Sequence, residues 1–265
     1  MTKTRVAING AAGRMGRRLI ALGSADPELQ IVAALERAGH PELGQDAGVL
    51  AGVPALGVVL TAALNAEAGV LVDFSLPAGA EAATDLCLEH TLPLVMATTG
   101  LEEPLKRKLH AAAEKIPIVW APSMSLAVNL TMKLATMAAS VLKNASGGAD
   151  VEIIERHHRF KKDSPSGTAL RFGELIAAEM GQTQQRHGRE GVLGQRPHGE
   201  IGYHAVRAGD NPGEHTILFG LLGESIELTV RATNRDCYAL GAFAAAKFVA
   251  RQKPGLYTMN DVLGL

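Results

Sequence analysis

The sequence predicts an α/β chain: a parallel-sheet domain covered by helices, followed by a smaller α+β domain on a four-stranded mixed sheet. Three observations predict it. Apolar runs at 5–9, 31–35, 70–74, 92–97 and 116–120 alternate with helical segments, the pattern of βαβ units. A glycine-rich turn, Gly10-Ala-Ala-Gly-Arg-Met-Gly16, leads straight from the first run into the first helix. Beyond residue 129 the order changes to one long helix, a strand, a second helix and three more strand-like runs.

In the first half, Leu19, Ile20 and Leu22 carry a helical pattern from the glycine turn toward Ser24. The second run ends on Glu36-Arg37. Helices are expected at 78–90 and 103–114, the latter with Pro104 in its first turn, where a missing N–H is no loss. In the second half a helix over 129–142 carries Met132, Leu134 and Met137, and Asn144-Ala-Ser-Gly-Gly148 breaks it. A strand at 151–157 and a helix from about 168 to 180 follow. The polar, Gly-rich stretch 181–200 reads as a long loop. Strands are expected at 201–207, 215–219 and 226–232, with 220–224 joining the last two as an antiparallel hairpin. A final Ala- and Phe-rich helix, 238–250, is expected to return and pack on the first half. The expected division is therefore 1–128 completed by 238–265, and 129–237.

Composition narrows the function. In 265 residues, 47% are hydrophobic, enough for a sizeable core. Lys and Arg number 26 against 27 Asp and Glu, a formal net charge of -1, so neither nucleic acid nor an anionic membrane is expected as partner. Aromatic residues at 4% argue against base-stacking platforms. The N-terminal MTKTRVAING enters a strand at once and has no signal-peptide h-region. No run approaches the roughly 20 apolar residues of a membrane span. Cys87 and Cys237 lack a CxxC partner and read as buried free thiols. A cytoplasmic location is the expectation.

The glycine turn has a physical reading as a dinucleotide site of Rossmann type. Gly10 permits a tight bend, Gly13 lets a pyrophosphate approach the backbone, and Gly16 lets the helix pack close to the strand. The spacing is G-x-x-G-x-x-G, and alone it would suit an ordinary Gly-rich turn. About twenty residues on, however, Glu36 stands at a strand end, where an acid can bind ribose hydroxyls. Glu36 suits NADH; Arg37 beside it could stack on adenine or pair with the 2′-phosphate of NADPH.

The densest chemistry lies at 155–168, Glu-Arg-His-His-Arg-Phe-Lys-Lys-Asp-Ser-Pro-Ser-Gly-Thr. His157 and His158 can line one pocket only if the strand ends or bends there, since neighbouring strand side chains face opposite ways. Adjacent histidines are poor zinc spacing, so no metal is expected. Ser166-Gly167-Thr168 at a helix start offers amides, a hydroxyl and positive dipole to a carboxylate. Lys161 and a histidine could add cationic hydrogen bonds and donate protons. A helix cap beside a basic surface loop would explain the same residues.

The run Glu155, His157, His158, Lys161, Asp163, Pro165, Ser166, Gly167, Thr168, Ala169 resembles the signature of the 4-hydroxy-tetrahydrodipicolinate reductases. The resemblance spans the chain. It includes the 10–16 turn, Glu36-Arg37, Asp73-Phe74, Thr98-Thr99-Gly100, 121–129, Arg207-Ala-Gly-Asp210 and Gly213-Glu-His-Thr216, in the family's order. It implies NAD(P)H-dependent reduction of the cyclic dicarboxylate (4S)-4-hydroxy-2,3,4,5-tetrahydrodipicolinate, with loss of water, to tetrahydrodipicolinate in the diaminopimelate route to lysine. It further implies His157 as proton donor/acceptor and Lys161 as proton donor, with His158, Ser166, Gly167 and Thr168 binding substrate. Cofactor contacts are implied at Gly10, Ala11, Ala12, Gly13, Arg14, Met15, Glu36 and Arg37. Ala97, Thr98, Thr99, Ala121, Pro122, Ser123 and Met124 join them near the nicotinamide. Ala97 stands where the family often has Gly, and Ser123-Met124 where Asn-Phe is common. The family is typically tetrameric, and four strands with helices on one face would leave the other face for another copy.

Two rivals remain in view. One is another two-domain Rossmann oxidoreductase, such as a semialdehyde or homoserine dehydrogenase; the semialdehyde enzymes would need an activated cysteine, and Cys87 lies within a predicted helix, away from any Gly-rich turn. A non-catalytic NAD(P)-sensing Rossmann protein would be expected to have lost His157, Lys161 or the Ser-Gly-Thr element, and all three are present.

Overall fold

The computed structural model describes residues 2–265, which divide into two compact units: 2–126 with 236–265, and 127–235. In the first unit the chain runs β1 (Thr4–Asn9), α1 (Arg14–Ala25), β2 (Leu29–Leu35), α2 (Ala47–Leu50), β3 (Leu60–Thr61), β4 (Val70–Asp73), α3 (Pro77–Glu89), β5 (Leu94–Met96), α4 (Glu103–Ala113) and β6 (Pro117–Trp120). In the second follow α5 (Leu126–Leu142), β7 (Asp150–His157), α6 (Gly167–Met180), β8 (Gln184–His187), β9 (Glu200–Arg207), β10 (Glu214–Gly220) and β11 (Ser225–Arg231). The chain then returns to the first unit with α7 (Asp236–Val249), β12 (Gly255–Tyr257) and α8 (Met259–Leu263).

The first unit is a seven-stranded parallel sheet in the order β12-β6-β5-β4-β1-β2-β3. Both faces are covered, which is why its strands are unbroken apolar runs; all four residues of β4 are buried. Leu19 and Ile20 of α1 with Ala242, Phe243 and Val249 of α7 fill one face. Ala83 and Cys87 of α3 with Leu105 and Leu109 of α4 fill the other. The returning helix α7 thus packs where the sequence suggested. The chain direction reverses between β1 and β4, and ligands of such sheets bind outside the carboxyl ends of the strands at that switch point. Among the described residues no helix is long and apolar enough to cross a membrane.

The second unit is a mixed five-stranded sheet in the order β11-β10-β7-β9-β8, where four strands were expected. The extra strand, β8, lies inside the stretch read as a long loop. All four of its residues are exposed, and it pairs only with β9. An edge strand wet on both faces needs no apolar alternation, so its sequence, QQRH, carries no strand signal. α5 and α6 cover one face of the sheet, with Val128, Met132, Phe172 and Ile176 packed on Val151, Ile153, Ile217 and Phe219. The central strand β7 alternates accordingly, burying residues 151, 153, 155 and 157.

Candidate active site

At the switch point of the first unit, β1 ends at Asn9 and Gly10 turns the chain with φ +72. Ala11 and Gly13 tie the turn down, their amides donating to Leu35 O and Gly10 O at 3.0 Å each. Gly16 packs so tightly that a Cβ there would lie 2.2 Å from Gly10 O and 2.6 Å from Ala11 Cα. Helix α1 begins with Gly13 as its N-cap and no side-chain cap, so its first amides face outward without an internal acceptor. This is a cradle for a phosphate, and the residues fit a dinucleotide. Arg14 is exposed and Ala12 and Met15 are half-buried beside it. Glu36 follows directly on β2, accepts a hydrogen bond from the amide of Arg37 at 3.0 Å, and leaves Arg37 exposed.

Asp73 organises the neighbouring strand ends. Its fully buried carboxylate accepts from Asn9 Nδ2 at 2.6 Å, Ser75 Oγ at 2.7 Å and Thr98 Oγ1 at 2.6 Å. Burial pushes the Asp73 carboxyl above its ordinary range, with those three donors opposing. Thr98, expected at the cofactor, is therefore buried with its hydroxyl spent on Asp73. Met124 is also buried, in the core with Ala121, whereas Thr99 and Pro122 are exposed, Ser123 is half-buried and Ala97 is buried. Cys87 is buried and burial drives its thiol upward, the opposite of an activated nucleophile. Cys237, expected to be buried, is only half-buried.

In the second unit β7 ends at His157, so His157 and His158 escape the strict alternation that would have split them. The sheet register sets His157 beside Arg207 of β9 and Glu155 beside His215 of β10. Glu155 is fully buried. Its Oε2 meets His157 Nδ1 at 2.6 Å and Arg207 Nη1 at 2.7 Å; its Oε1 accepts from Arg207 Nη2 at 2.6 Å and the Ser166 amide at 3.0 Å. Burial opposes this charge, but Arg207 and His157 outweigh it and hold the carboxyl below its ordinary range.

Burial lowers the His157 pKa, Glu155 resists that, and Lys161 and Arg207 add to the lowering. With Nδ1 on a carboxylate, Nε2 is the ring nitrogen that could meet a ligand. It faces Gly213, whose φ of +151 and missing side chain leave room: a Cβ there would stand 2.9 Å from Nε2. Lys161 pairs with Asp163 at 2.8 Å. His158 Nδ1 is buried without a partner, so a hydrogen-bonding ligand would satisfy it.

Ser166 caps α6, its hydroxyl accepting from the Ala169 amide at 3.2 Å and meeting His215 Nε2 at 2.9 Å. Burial, then the neighbouring His157, depress His215 to about 4, so its ring is neutral near pH 7. Nothing lies within 4 Å of a Cβ built on Gly167, so the first turn of α6 opens onto free space. Thr168 is half-buried beside it. Among the described residues no three His, Cys, Asp or Glu side chains gather as a metal set. Sequence reasoning gave no role to Glu155, Arg207 and His215. Glu155 and Arg207 come together only through strand pairing across 52 positions.

Fold and site define a two-unit oxidoreductase: a doubly covered parallel sheet with a glycine turn that could cradle a phosphate, and a mixed-sheet unit with a carboxylate-bonded histidine and an open helix start. Residues 4–124 match the family described as "Dihydrodipicolinate reductase, N-terminus", and residues 127–263 match "Dihydrodipicolinate reductase, C-terminus". The chain belongs to the 4-hydroxy-tetrahydrodipicolinate reductase family, for which dihydrodipicolinate reductase is the older name. It is 57% identical over 268 residues to the 4-hydroxy-tetrahydrodipicolinate reductase of Rhodopirellula baltica, covering 97% of this chain and 95% of that protein. It is 48% identical over 271 residues to the enzyme of the same name from Burkholderia thailandensis, covering 100% of both. A dipicolinate-bound dihydrodipicolinate reductase from Paenisporosarcina sp. TG-14 superposes with a TM-score of 0.79 at 28% identity, covering 97% of this chain and 98% of that one.

Proposed function

We propose that this chain reduces (4S)-4-hydroxy-2,3,4,5-tetrahydrodipicolinate, with loss of water, to tetrahydrodipicolinate in the diaminopimelate route to lysine. The observation that carries this reading is the sharing of one buried carboxylate, Glu155, by an acid/base histidine and the amide that opens an anion-binding helix start. A dicarboxylate needs anion sites, and hydride arriving on a conjugated ring needs an acid to meet the developing negative charge.

When bound, the nicotinamide supplies the hydride. The α1 cradle, with Gly10, Ala11, Ala12, Gly13, Arg14 and Met15, holds the pyrophosphate, and Glu36 and Arg37 hold the adenosine ribose. Residues 97–99 and 121–124 shape the nicotinamide end, Thr98 and Met124 as buried support for it. Gly167 and Thr168 present first-turn amides of α6 to one substrate carboxylate, and Ser166 keeps that turn capped. His158, through its unpartnered Nδ1, holds substrate as well. His157 Nε2, as proton donor/acceptor, and the Lys161 ammonium, as proton donor, together supply the one net proton that accompanies the hydride.

Both NADH and NADPH serve as cofactor in this reading, because Arg37 can compensate the repulsion between Glu36 and a 2′-phosphate. The chain works in the cytoplasm as a homotetramer. The sheet face turned away from α5 and α6 carries Ile154, Leu218 and Val206, the last 43% exposed, and suits another copy. Light scattering at micromolar concentration tests this; a monomer would contradict it. Steady-state kinetics with nucleotide titration test the roles. His157→Gln and Lys161→Ala should lower kcat and kcat/KM together by about 10²–10⁴-fold while NADH affinity survives. Loss of NADH binding in both variants would overturn the division of labour between the units.

A further inference from the structure

A fully buried carboxylate is costly unless its charge is met, and Glu155 meets four donors. A residue serving only to fill the core could be apolar here, as Ile153 is one alternation earlier on the same strand face. Its two oxygens divide their partners by kind. Oε2 takes the ring of His157, and Oε1 takes the amide of Ser166 at the start of α6. Arg207 grips both oxygens from β9, and its Nη2 also donates to Asp163 O at 2.7 Å, tying down the loop that carries Lys161.

Resting on the reading above of His157 as proton donor, we propose that Glu155, clamped by Arg207, is the positioning residue for the reduction. Its carboxylate locks His157 as the Nδ1–H tautomer, or as the imidazolium, with Nε2 turned to the substrate. It also holds that ring at a set distance from the carboxylate-binding start of α6.

The charged and titratable groups around His157 are Glu155 on its own strand, Arg207 on β9, His215 on β10, and Lys161 and Asp163 in the loop. Only the carboxylates favour a protonated His157, and only Glu155 touches it. A glutamine at 155 would keep the volume but could donate its amide to Nδ1, turning the ring to the Nε2–H tautomer and removing the charge that supports the imidazolium.

The test is a double-mutant cycle read by steady-state kinetics, with ¹⁵N NMR of the histidine rings of the substrate-free protein. Glu155→Gln should lower kcat by about 10²-fold or more, leave NADH affinity within about twofold, and move the pH above which turnover falls to lower values. Adding Glu155→Gln to His157→Gln should cost less than about threefold more, because Glu155 acts through the ring already removed. NMR should find Nδ1–H in the parent and Nε2–H in Glu155→Gln. Arg207→Lys, which keeps the charge but not the two-pronged grip, should lower kcat about 10-fold and serves if Glu155→Gln fails to fold. Near-normal kcat in both variants would overturn the proposal, as would the same full loss from Glu155→Gln in the His157→Gln background. If His157→Gln itself kept normal kcat, the proton-donor reading would fall. The tautomer spectra would still decide separately whether Glu155 locks the ring.

Discussion

Replacing Gly16 with alanine sets a new Cβ 2.2 Å from Gly10 O and 2.6 Å from both Ala11 Cα and Ala11 O, all backbone atoms of the cradle. None is the tip of a flexible side chain, so relief requires α1 to move off the β1 turn by about 1 Å, an overpacking that costs roughly 1–3 kcal/mol. The same movement displaces the uncapped first-turn amides from any bound phosphate. NADH affinity should fall by at least about 10-fold, and the melting temperature should drop by several degrees. Gly13→Ala makes a useful contrast. Its Cβ would meet only Gly10 O, at 3.1 Å, and the backbone there is already extended. It should melt near the parent temperature while still losing NADH affinity, because the added methyl projects where the pyrophosphate approaches. Fluorescence titration with NADH and a thermal melt on both variants decide the matter. Parent-like melting and NADH affinity in Gly16→Ala would refute the reasoning that this glycine exists for helix–turn contact.

Further outcomes follow from the same geometry. Arg37→Ala should weaken NADPH selectively in paired KM measurements if the exposed guanidinium serves the 2′-phosphate as proposed; equal loss for both cofactors would contradict this. His158→Ala should chiefly raise the substrate KM and leave kcat nearly intact, in contrast to His157→Gln. Gly213→Ala should depress kcat without disturbing NADH titration, because its Cβ would crowd His157 Nε2 at 2.9 Å. Glu152 is held down to about 2 from its ordinary 4.5: burial opposes this, but hydrogen bonds from Arg189, Arg196 and His204 prevail. Its folded pKa lies below its unfolded one, so its contribution, on the order of 3 kcal/mol at most, is present above pH 4.5 and fades as pH falls toward 2. Glu152→Gln should therefore flatten the fall of melting temperature over that window.

The first unit was legible because its signals are local. A strand, a glycine turn and a helix sit consecutively in 4–25, and strands covered on both faces appear as plain apolar runs. What escaped was short or wet: β8 at an exposed edge, the two-residue β3 and the three-residue β12, none long enough to develop periodicity. In the second unit the 155–168 segment announced its chemistry by composition. Its wiring did not, because Arg207 and His215 reach Glu155 and Ser166 through sheet register, over separations of 52 and 49 residues. Thr98 and Met124 illustrate the same limit: that one would bond Asp73 and the other join the core around Ala121 is not readable from the residues themselves.

The most direct test is turnover itself. Purified protein, freshly generated cyclic hydroxy-dicarboxylate and NADH are combined, with absorbance loss at the nicotinamide band followed alongside mass spectrometry of the product. NADH oxidation should depend on the cyclic substrate, in one-to-one ratio with a product that has gained two hydrogens and lost water, and the same should hold with NADPH. Tight NADH binding with no substrate-dependent oxidation would contradict this, leaving a nucleotide-binding protein without the reaction.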